Sequence, residues 1–489
     1  MHTIQALYAY RESKMTSWHP RILKSSRSKY LGIVEALEQD ILEGRVKPGT
    51  LLPSQRAIAR DLSVDLTTVT RAFAEARQRG LIRARAGRGT FALWPPDAPQ
   101  VFPQSTNTYV KRKVTLDLGM NNPPVGRTHA FAATLRRDLD RLLAEDPSVL
   151  DYPTEVGRDL DMQAGVNWLK QRIDSVQRDR TLVAAGAQAA LFGIFHLLCR
   201  PDDHVCVPSL VYPGTRAIIR DLNLEAVALE QDEEGILPDA FAQACWRGDR
   251  GSHPIKALYL TPDIDNPTTA TLTEPRRTAI ARIAQTHGVA IVEDAPYSAL
   301  RPNGPRAFAS RVPELTWHVA TVSKVLSPAL RMAYVLTPSA ADAHRLAGVF
   351  RATHLNPPPI SVALVRRWLS NGSAEMICRD VAQENTARQR IARAALKSGS
   401  TGAKFFSDQV GPHGWLQLPA GWNSDAFADE ARRAGVIVAP DSAFAVGESR
   451  RDAVRLSFGT PRDHASLKAA LDVLSTLLSQ PTSEIRAVV

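Results

Sequence analysis

Three short apolar runs constrain this chain more than anything else in it: KALYL at 256–260, VAIVE at 289–293 and HVATV at 318–322. Each has the length of a strand and is rich in residues that suit a pleated backbone, with little of the polar alternation a half-wetted strand shows. Helix-length segments such as Glu274 to Thr286 separate them. A mostly parallel sheet needs that alternation, because helices must cover both of its faces. Residues 115–345 are therefore expected to form a large α/β subdomain, entered by an N-terminal arm. From 346 to 489 the pattern opens with helices and continues with shorter strands such as GWLQL and AVRLSF, which predicts a smaller α+β subdomain.

At 489 residues the chain is long enough for two to four folding units. Its apolar share of 44% and charged share of 22% exclude a largely disordered chain, and it contains no internal repeats. The longest apolar run, Ala184 to Cys199, is broken by Gly186, Gln188, Gly193 and His196 and falls short of the roughly 20 residues a bilayer demands, so no membrane span is expected. The first residues carry charges and lack an apolar run followed by a cleavage site, so no secretory signal is expected and residues 1–27 read as a tail. Cys199, Cys206, Cys245 and Cys378 match neither zinc-type nor redox-type spacing; they read as buried thiols of a cytoplasmic protein with no metal.

Charge is unevenly divided. Residues 1–114 hold 19 Lys and Arg against 9 Asp and Glu, whereas residues 115–489 hold 41 of each. A basic module on a neutral body is the footprint of a part that meets a polyanion, although a solvated basic face would give the same count. Helical periodicity places Leu31, Val34, Leu37, Ile41 and Leu42 on one face of a helix stopped by Gly44. Ser54 caps a second short helix, Ser63-Val64-Asp65 makes a break, and a third helix buries Val69, Ala72, Phe73 and Ala76. Two extended runs around Gly87-Arg88-Gly89 complete a winged helix over residues 28–94, followed by a proline-dense linker over 95–114.

The third helix of such a fold enters the major groove, and its polar face carries Thr67, Thr68, Thr70 and Arg71. With Arg56 on the second helix and Arg88 at the wing tip, these are the candidate contacts to double-stranded DNA, though any one of the arginines alone is more often a surface charge. The segments Gly49-x-x-x-Pro53-Ser54-Gln55-Arg56, Thr68-Val69-x-Arg71-Ala72-Phe73 and Gly87-Arg88-Gly89-Thr90-Phe91 resemble the GntR-type winged helix in order and spacing. Leu66 departs from the arginine that many members carry there.

Farther along come Asn266-Pro267-Thr268, then Glu293-Asp294-x-Pro296-Tyr297, then Thr321-Val322-Ser323-Lys324 with Arg331 beyond. A lysine just past an apolar strand can point into the ligand crevice of an α/β sheet, although a lone one would more often be a surface residue. The ordered series resembles the fold type I aminotransferases, and that resemblance implies pyridoxal 5′-phosphate. It implies that Lys324 holds the cofactor aldehyde as a Schiff base, Asp294 pairs with the pyridine nitrogen, and Asn266 and Tyr297 face the ring oxygen. It further implies a phosphate site from Ala187, Gln188, Ser323 and Arg331 at a helix start, Tyr212 stacked on the ring, and Tyr152 reaching the phosphate of a partner subunit. Arg455, in the run VRLSF, resembles the arginine that receives a substrate carboxylate. Thr269 and Ala295 depart from the residues common at those positions, both on the substrate side.

A GntR-type winged helix joined by a proline-rich linker to such a domain is similar to the MocR-like regulators. The resemblance implies a homodimeric transcription regulator that binds an operator and senses an amino acid or amine through aldimine chemistry at Lys324. A working aminotransferase with an ancillary DNA-binding domain remains the alternative.

Overall fold

The computed structural model describes residues 18, 20–22, 28–42, 45–46, 50–79, 81–85, 89–92, 116–124, 129–152, 159–251, 253–397, 402–447 and 451–479. The chain divides into two compact units, residues 1–111 and 112–489. The expected linker 95–114 and the stop at Gly44 lie outside the described residues.

The first unit has helices Lys29–Leu42, Gln55–Asp61 and Leu66–Gln78, then an antiparallel hairpin of Ile82–Arg85 with Gly89–Ala92. Ser54 accepts the amide of Ala57 as the N-cap of the second helix, at 3.2 Å. The third helix is capped by Asp65, which accepts both the amide (2.7 Å) and the hydroxyl (2.6 Å) of Thr67. Val34, Leu37, Ile41, Val69, Ala72, Phe73 and Ala76 form the core as expected, joined by Ile33 and Ile58. Gly89 takes φ +103 where Leu51 presses on the hairpin: a Cβ there would stand 2.6 Å from Leu51 Cδ1.

Residues 1–27 are not simply a tail. Trp18 is 5% exposed within this same core and Ile22 packs against it. The Trp18 indole donates to Asp40 Oδ2 at 2.8 Å, and Asp40 Oδ1 accepts from Arg21 (2.7 Å) and Arg45 (2.6 Å). An aromatic side chain from ahead of the first helix fills a gap that the helix periodicity itself does not reveal.

The second unit is built on a seven-stranded sheet. In spatial order the strands are Thr181–Ala184, Ala333–Leu336, Thr316–Thr321, Ala290–Asp294, Ile255–Leu260, His204–Pro208 and Glu225–Leu229. Every neighbouring pair is parallel except those made by Ala333–Leu336, which runs antiparallel to both its neighbours. One face is covered by helices Ala187–Leu198 and Ala340–His354 through Leu191, Ile194, Phe195, Leu346 and Phe350. Helices Pro238–Arg250 and Glu274–His287 bury Phe241 and Ile280 against another part of the sheet. Among the described residues no helix is long and apolar enough to cross a membrane.

A four-stranded antiparallel sheet, in the order Lys404–Ser407, His413–Gln417, Ala453–Ser457 and Ala439–Pro440, forms the smaller subdomain with helices Ser373–Lys397, Ser424–Arg433 and His464–Ser479. Two boundaries differ from expectation. A division at 345/346 would cut the helix Ala340–His354, whose Ala343, Leu346 and Phe350 pack on the large sheet. The arm does not enter the large sheet: Leu116–Asp117 pairs in parallel with Val436–Ile437, and Leu118 lies in the core of the smaller subdomain. Both are long-range pairings, which local periodicity does not encode.

Burial by itself would raise the Asp40 carboxyl, but the bonds from Trp18, Arg21 and Arg45 outweigh it and hold it below its ordinary 3.8. A depressed carboxyl stabilises the fold above its unfolded value and loses that contribution as pH falls through the folded one. Asp40→Ala is expected to cost the first unit about 2 kcal/mol at neutral pH, read by hydrogen exchange in helix Lys29–Leu42, with the wild-type advantage shrinking below about pH 4.

Candidate functional site

Parallel strands deliver their following loops to one edge of the sheet, and the candidate residues gather there. Asp294 closes strand Ala290–Asp294 and Tyr297 follows it. Ser323 and Lys324 lie in the turn after Thr316–Thr321, and Asn266 lies on the loop after Ile255–Leu260. These residues, with Ala187, Gln188, Tyr212 and Arg331, line one cavity of about 130 Å³. The structure thus brings together nine of the residues expected at the cofactor.

Asp294 is 6% exposed. Its Oδ2 accepts the Tyr259 hydroxyl at 3.0 Å, and its Oδ1 is buried with no hydrogen-bond partner among the described residues. Burial pushes this carboxyl up to about 6, against the opposing pull of Tyr259, His318 and Lys324. A bare carboxylate oxygen facing a cavity is costly unless a ligand donor satisfies it, and a protonated ring nitrogen is such a donor.

Lys324 Nζ donates to the main-chain oxygen of Asn121 at 2.5 Å. Burial lowers its ammonium to about 8; Arg455 and Arg331 push the same way while Asp294 opposes them. At pH 7 roughly a tenth of this amine is then unprotonated and nucleophilic, far more than for an ordinary lysine. Tyr297 is buried, and its hydroxyl accepts from Asn121 Nδ2 at 2.9 Å.

The cavity reaches the start of helix Ala187–Leu198. Its N-cap Gly186 takes φ +94 and ψ 167, a region open essentially to glycine, so the first amides of the helix are free to face the cavity. A Cβ at Gly186 would stand 3.8 Å from Arg331 Cζ, so the guanidinium shares that corner. Gly214 allows a second close approach. A Cβ there would stand 2.3 Å from Tyr212 Cε1, and Gln188 Nε2 donates to the Gly214 carbonyl at 2.8 Å. The Tyr212 ring, 40% exposed, is thereby kept at the cavity wall.

Arg455 does not line this cavity but borders it. It donates through one terminal nitrogen to Asn266 Oδ1 at 2.8 Å and through the other to the Gly119 carbonyl, and its Nε is buried with no partner among the described residues. Burial lowers its guanidinium to about 10. It lies 4.9 Å from the Phe444 ring centre and forms no ion pair among the described residues. Tyr152 is 86% exposed and does not line the cavity.

Asn121, Tyr259 and Thr261 belong to this site without any motif in the sequence marking them. Tyr259 sits inside the apolar run KALYL, where only the polar end of a phenol in a buried strand signals that it needs a partner. Asn121 lies in a short irregular stretch that no periodicity singles out. The loop bearing Asn266 is fastened by Asp263, which accepts from Arg277 at 2.8 Å and Arg172 at 3.0 Å, both buried.

In the first unit, Thr67 bonds its cap Asp65, and Thr70 Oγ1 donates to Gln55 Oε1 at 3.0 Å. Arg71 lies 4.6 Å over the Tyr30 ring. Thr67, Thr70, Arg71 and Arg56 are exposed, and Thr68 is half-buried. Leu66 is the first residue of the third helix and is also exposed. Arg88 lies outside the described residues.

Residues 113–474 match the family "Aminotransferase class I and II", and residues 29–92 match "Bacterial regulatory proteins, gntR family". The chain belongs to the class I and II aminotransferase family. With its gntR-type domain ahead of that fold, it has the make-up of a MocR-like transcriptional regulator. It is 28% identical over 96% of its length, and 99% of the relative, to the uncharacterized HTH-type transcriptional regulator YdeF of Bacillus subtilis. It is 25% identical to the HTH-type transcriptional regulator TauR of Rhodobacter capsulatus, over 87% of this chain and 92% of the relative. The kynurenine aminotransferase of Pyrococcus horikoshii in complex with PMP superposes with a TM-score of 0.69 and 21% identity, over 75% of this chain and 91% of that one.

Gly186→Ala places a side chain in a backbone region that costs roughly 1–3 kcal/mol. It is expected to weaken binding of pyridoxal 5′-phosphate by about tenfold while leaving phosphate-free pyridoxal unaffected, measured by equilibrium dialysis. Equal weakening of both compounds would mean the amides after Gly186 are no phosphate cradle.

Proposed function

We propose that this protein is a DNA-binding transcription regulator whose aminotransferase-type domain carries pyridoxal 5′-phosphate on Lys324 and responds to an amino acid or related amine. The observation that carries this reading is the bare Oδ1 of buried Asp294 in the same small cavity as the lowered amine of Lys324. When bound, pyridoxal phosphate supplies an aldehyde that condenses with primary amines and a ring that withdraws electrons.

The roles of the residues follow from their donors and acceptors. Asp294 would hold a proton on the ring nitrogen, with Tyr259 keeping its other oxygen occupied. Asn266 and Tyr297 would face the ring oxygen, and Tyr212 would cover the ring. Ser323, Arg331 and the amides at Ala187 and Gln188 would hold the phosphate. Arg455 would receive the effector carboxylate in its fork, giving up Asn266 Oδ1 and the Gly119 carbonyl as it does so. That exchange links an effector to the segment 118–124 of the smaller subdomain, a route by which binding can favour one conformation.

Arg56, Thr67, Thr68, Thr70, Arg71 and Arg88 would meet operator DNA, with Arg71 held in place by Tyr30. A homodimer would pair two winged helices on two half-sites and bring Tyr152 of each copy toward the other's cavity. We assign residues 28–94 to the winged helix and 95–114 to the linker. The lowered Lys324 also suits an enzyme, and turnover is the second reading.

Mixing the reconstituted chain with a panel of amino acids separates the two: altered operator affinity without keto-acid release supports the sensor, and steady keto-acid release with unchanged operator affinity supports the enzyme. Lys324→Ala is expected to abolish the visible absorption of the bound cofactor in either case. Because attachment needs the neutral amine, the rate at which pyridoxal phosphate attaches to the free chain should climb with pH and level off above about 8.

A further inference from the structure

We infer that Asn121 is a positioning residue that turns the Tyr297 hydroxyl into a proton donor toward the cavity and thereby lowers the proton affinity of the Lys324 nitrogen once pyridoxal phosphate is attached. This rests on the cofactor reading above. Asn121 is 6% exposed and touches both side chains at once. Its side-chain Nδ2 donates to Tyr297 OH at 2.9 Å, and its main-chain oxygen accepts from Lys324 Nζ at 2.5 Å.

Its backbone is held firmly. Asp117 Oδ1 accepts the amides of Gly119 (2.7 Å) and Met120 (3.1 Å), and the Ser457 amide donates to the Leu118 carbonyl at 2.7 Å. Gly459 packs so closely that a Cβ there would stand 1.8 Å from the Asn122 carbonyl oxygen. Asn121 therefore has little freedom to leave Tyr297.

A phenol has one proton to give and lone pairs to accept with. Asn121 occupies its acceptor side, and burial raises the Tyr297 phenol above its ordinary value, so the proton stays on. Among the described residues no protein group accepts that proton, which leaves it for the cavity. A donor aimed at the ring oxygen draws charge from it and weakens the hold of the neighbouring nitrogen on its proton. The other charged or titratable groups facing Tyr297 and Lys324 are Asp294, Asp265, Arg331, Arg455 and His413, and none of them bonds the Tyr297 hydroxyl.

Aspartate at position 121 can only accept, so it would take the phenol's proton and reverse the direction of the bond. The test is a spectrophotometric pH titration of the full-length chain loaded with pyridoxal phosphate. Tyr297→Phe and Asn121→Asp are each expected to raise the midpoint of the visible band by about one unit. In the Y297F background, Asn121→Asp should add much less, because only its charge acts through space. Asn121→Ala, which adds no charge, should raise the midpoint by a smaller amount and only when Tyr297 is present.

Equal shifts from Asn121→Asp with and without Tyr297, or no shift from Asn121→Ala, overturn the inference while leaving the cofactor reading intact. If the wild-type chain shows no band that Lys324→Ala removes, the cofactor reading falls and this inference falls with it.

Discussion

Asp294 stands buried at the end of the central strand of a seven-stranded sheet, with one oxygen taken by Tyr259 and the other bare. A carboxylate in that position is tolerable only if the fold offers it a cation or a strong donor. Lys324, Arg331 and Arg455 all lie close enough to act on one another or on Asp294. The parallel sheet makes this convergence possible, since the loops after five of its strands open at one edge. Helices on both faces bury the strands, and the buried strands hold the site in register.

The balance of charge around the cavity has a direction. Lys324 and Arg331 line the cavity with Asp294, and Arg455 borders it and acts on Lys324, an excess of positive charge that suits a phosphate and a carboxylate together. Burial depresses both Lys324 and Arg455, which shows how little solvent relieves that excess. In the chain by itself, Arg455 turns to the Asn266 side chain and the Gly119 carbonyl. Those neutral partners can be given up to a carboxylate, whereas an ion pair would have to be broken. Gly119 belongs to the same short segment as Asn121, so a carboxylate taken up by Arg455 as proposed would bear on the residue that bonds Tyr297 and Lys324.

Local patterns made much of this legible. The three helices and hairpin of the first unit follow from apolar spacing and from Ser54 as a cap, and the large sheet follows from its apolar runs. The candidate site residues stand in the sequence as an ordered series of motifs, and nine of them line one cavity. What escaped depends on distant pairing. Trp18 fills a core whose gap exists only after folding; Leu116–Asp117 pairs with residues more than three hundred positions away; the helix Ala340–His354 continues through the expected division at 345/346. Tyr259 and Asn121 escaped for a related reason: their partners, Asp294 for Tyr259 and both Tyr297 and Lys324 for Asn121, lie far along the chain.

If the protein responds to an amino acid or amine as proposed, the cavity at Lys324 and the DNA-binding unit act on one equilibrium. Thermodynamic linkage makes the effect reciprocal: if an effector changes operator affinity by some factor, operator DNA must change effector affinity by the same factor, commonly 5- to 150-fold or roughly 1–3 kcal/mol. The most direct measurement takes the amino acid that most perturbs the visible band of the reconstituted chain and determines its dissociation constant with and without saturating operator DNA. The account predicts two different constants whose ratio equals the shift in operator affinity. Identical constants, with the amino acid bound at Lys324 in both cases, would contradict it.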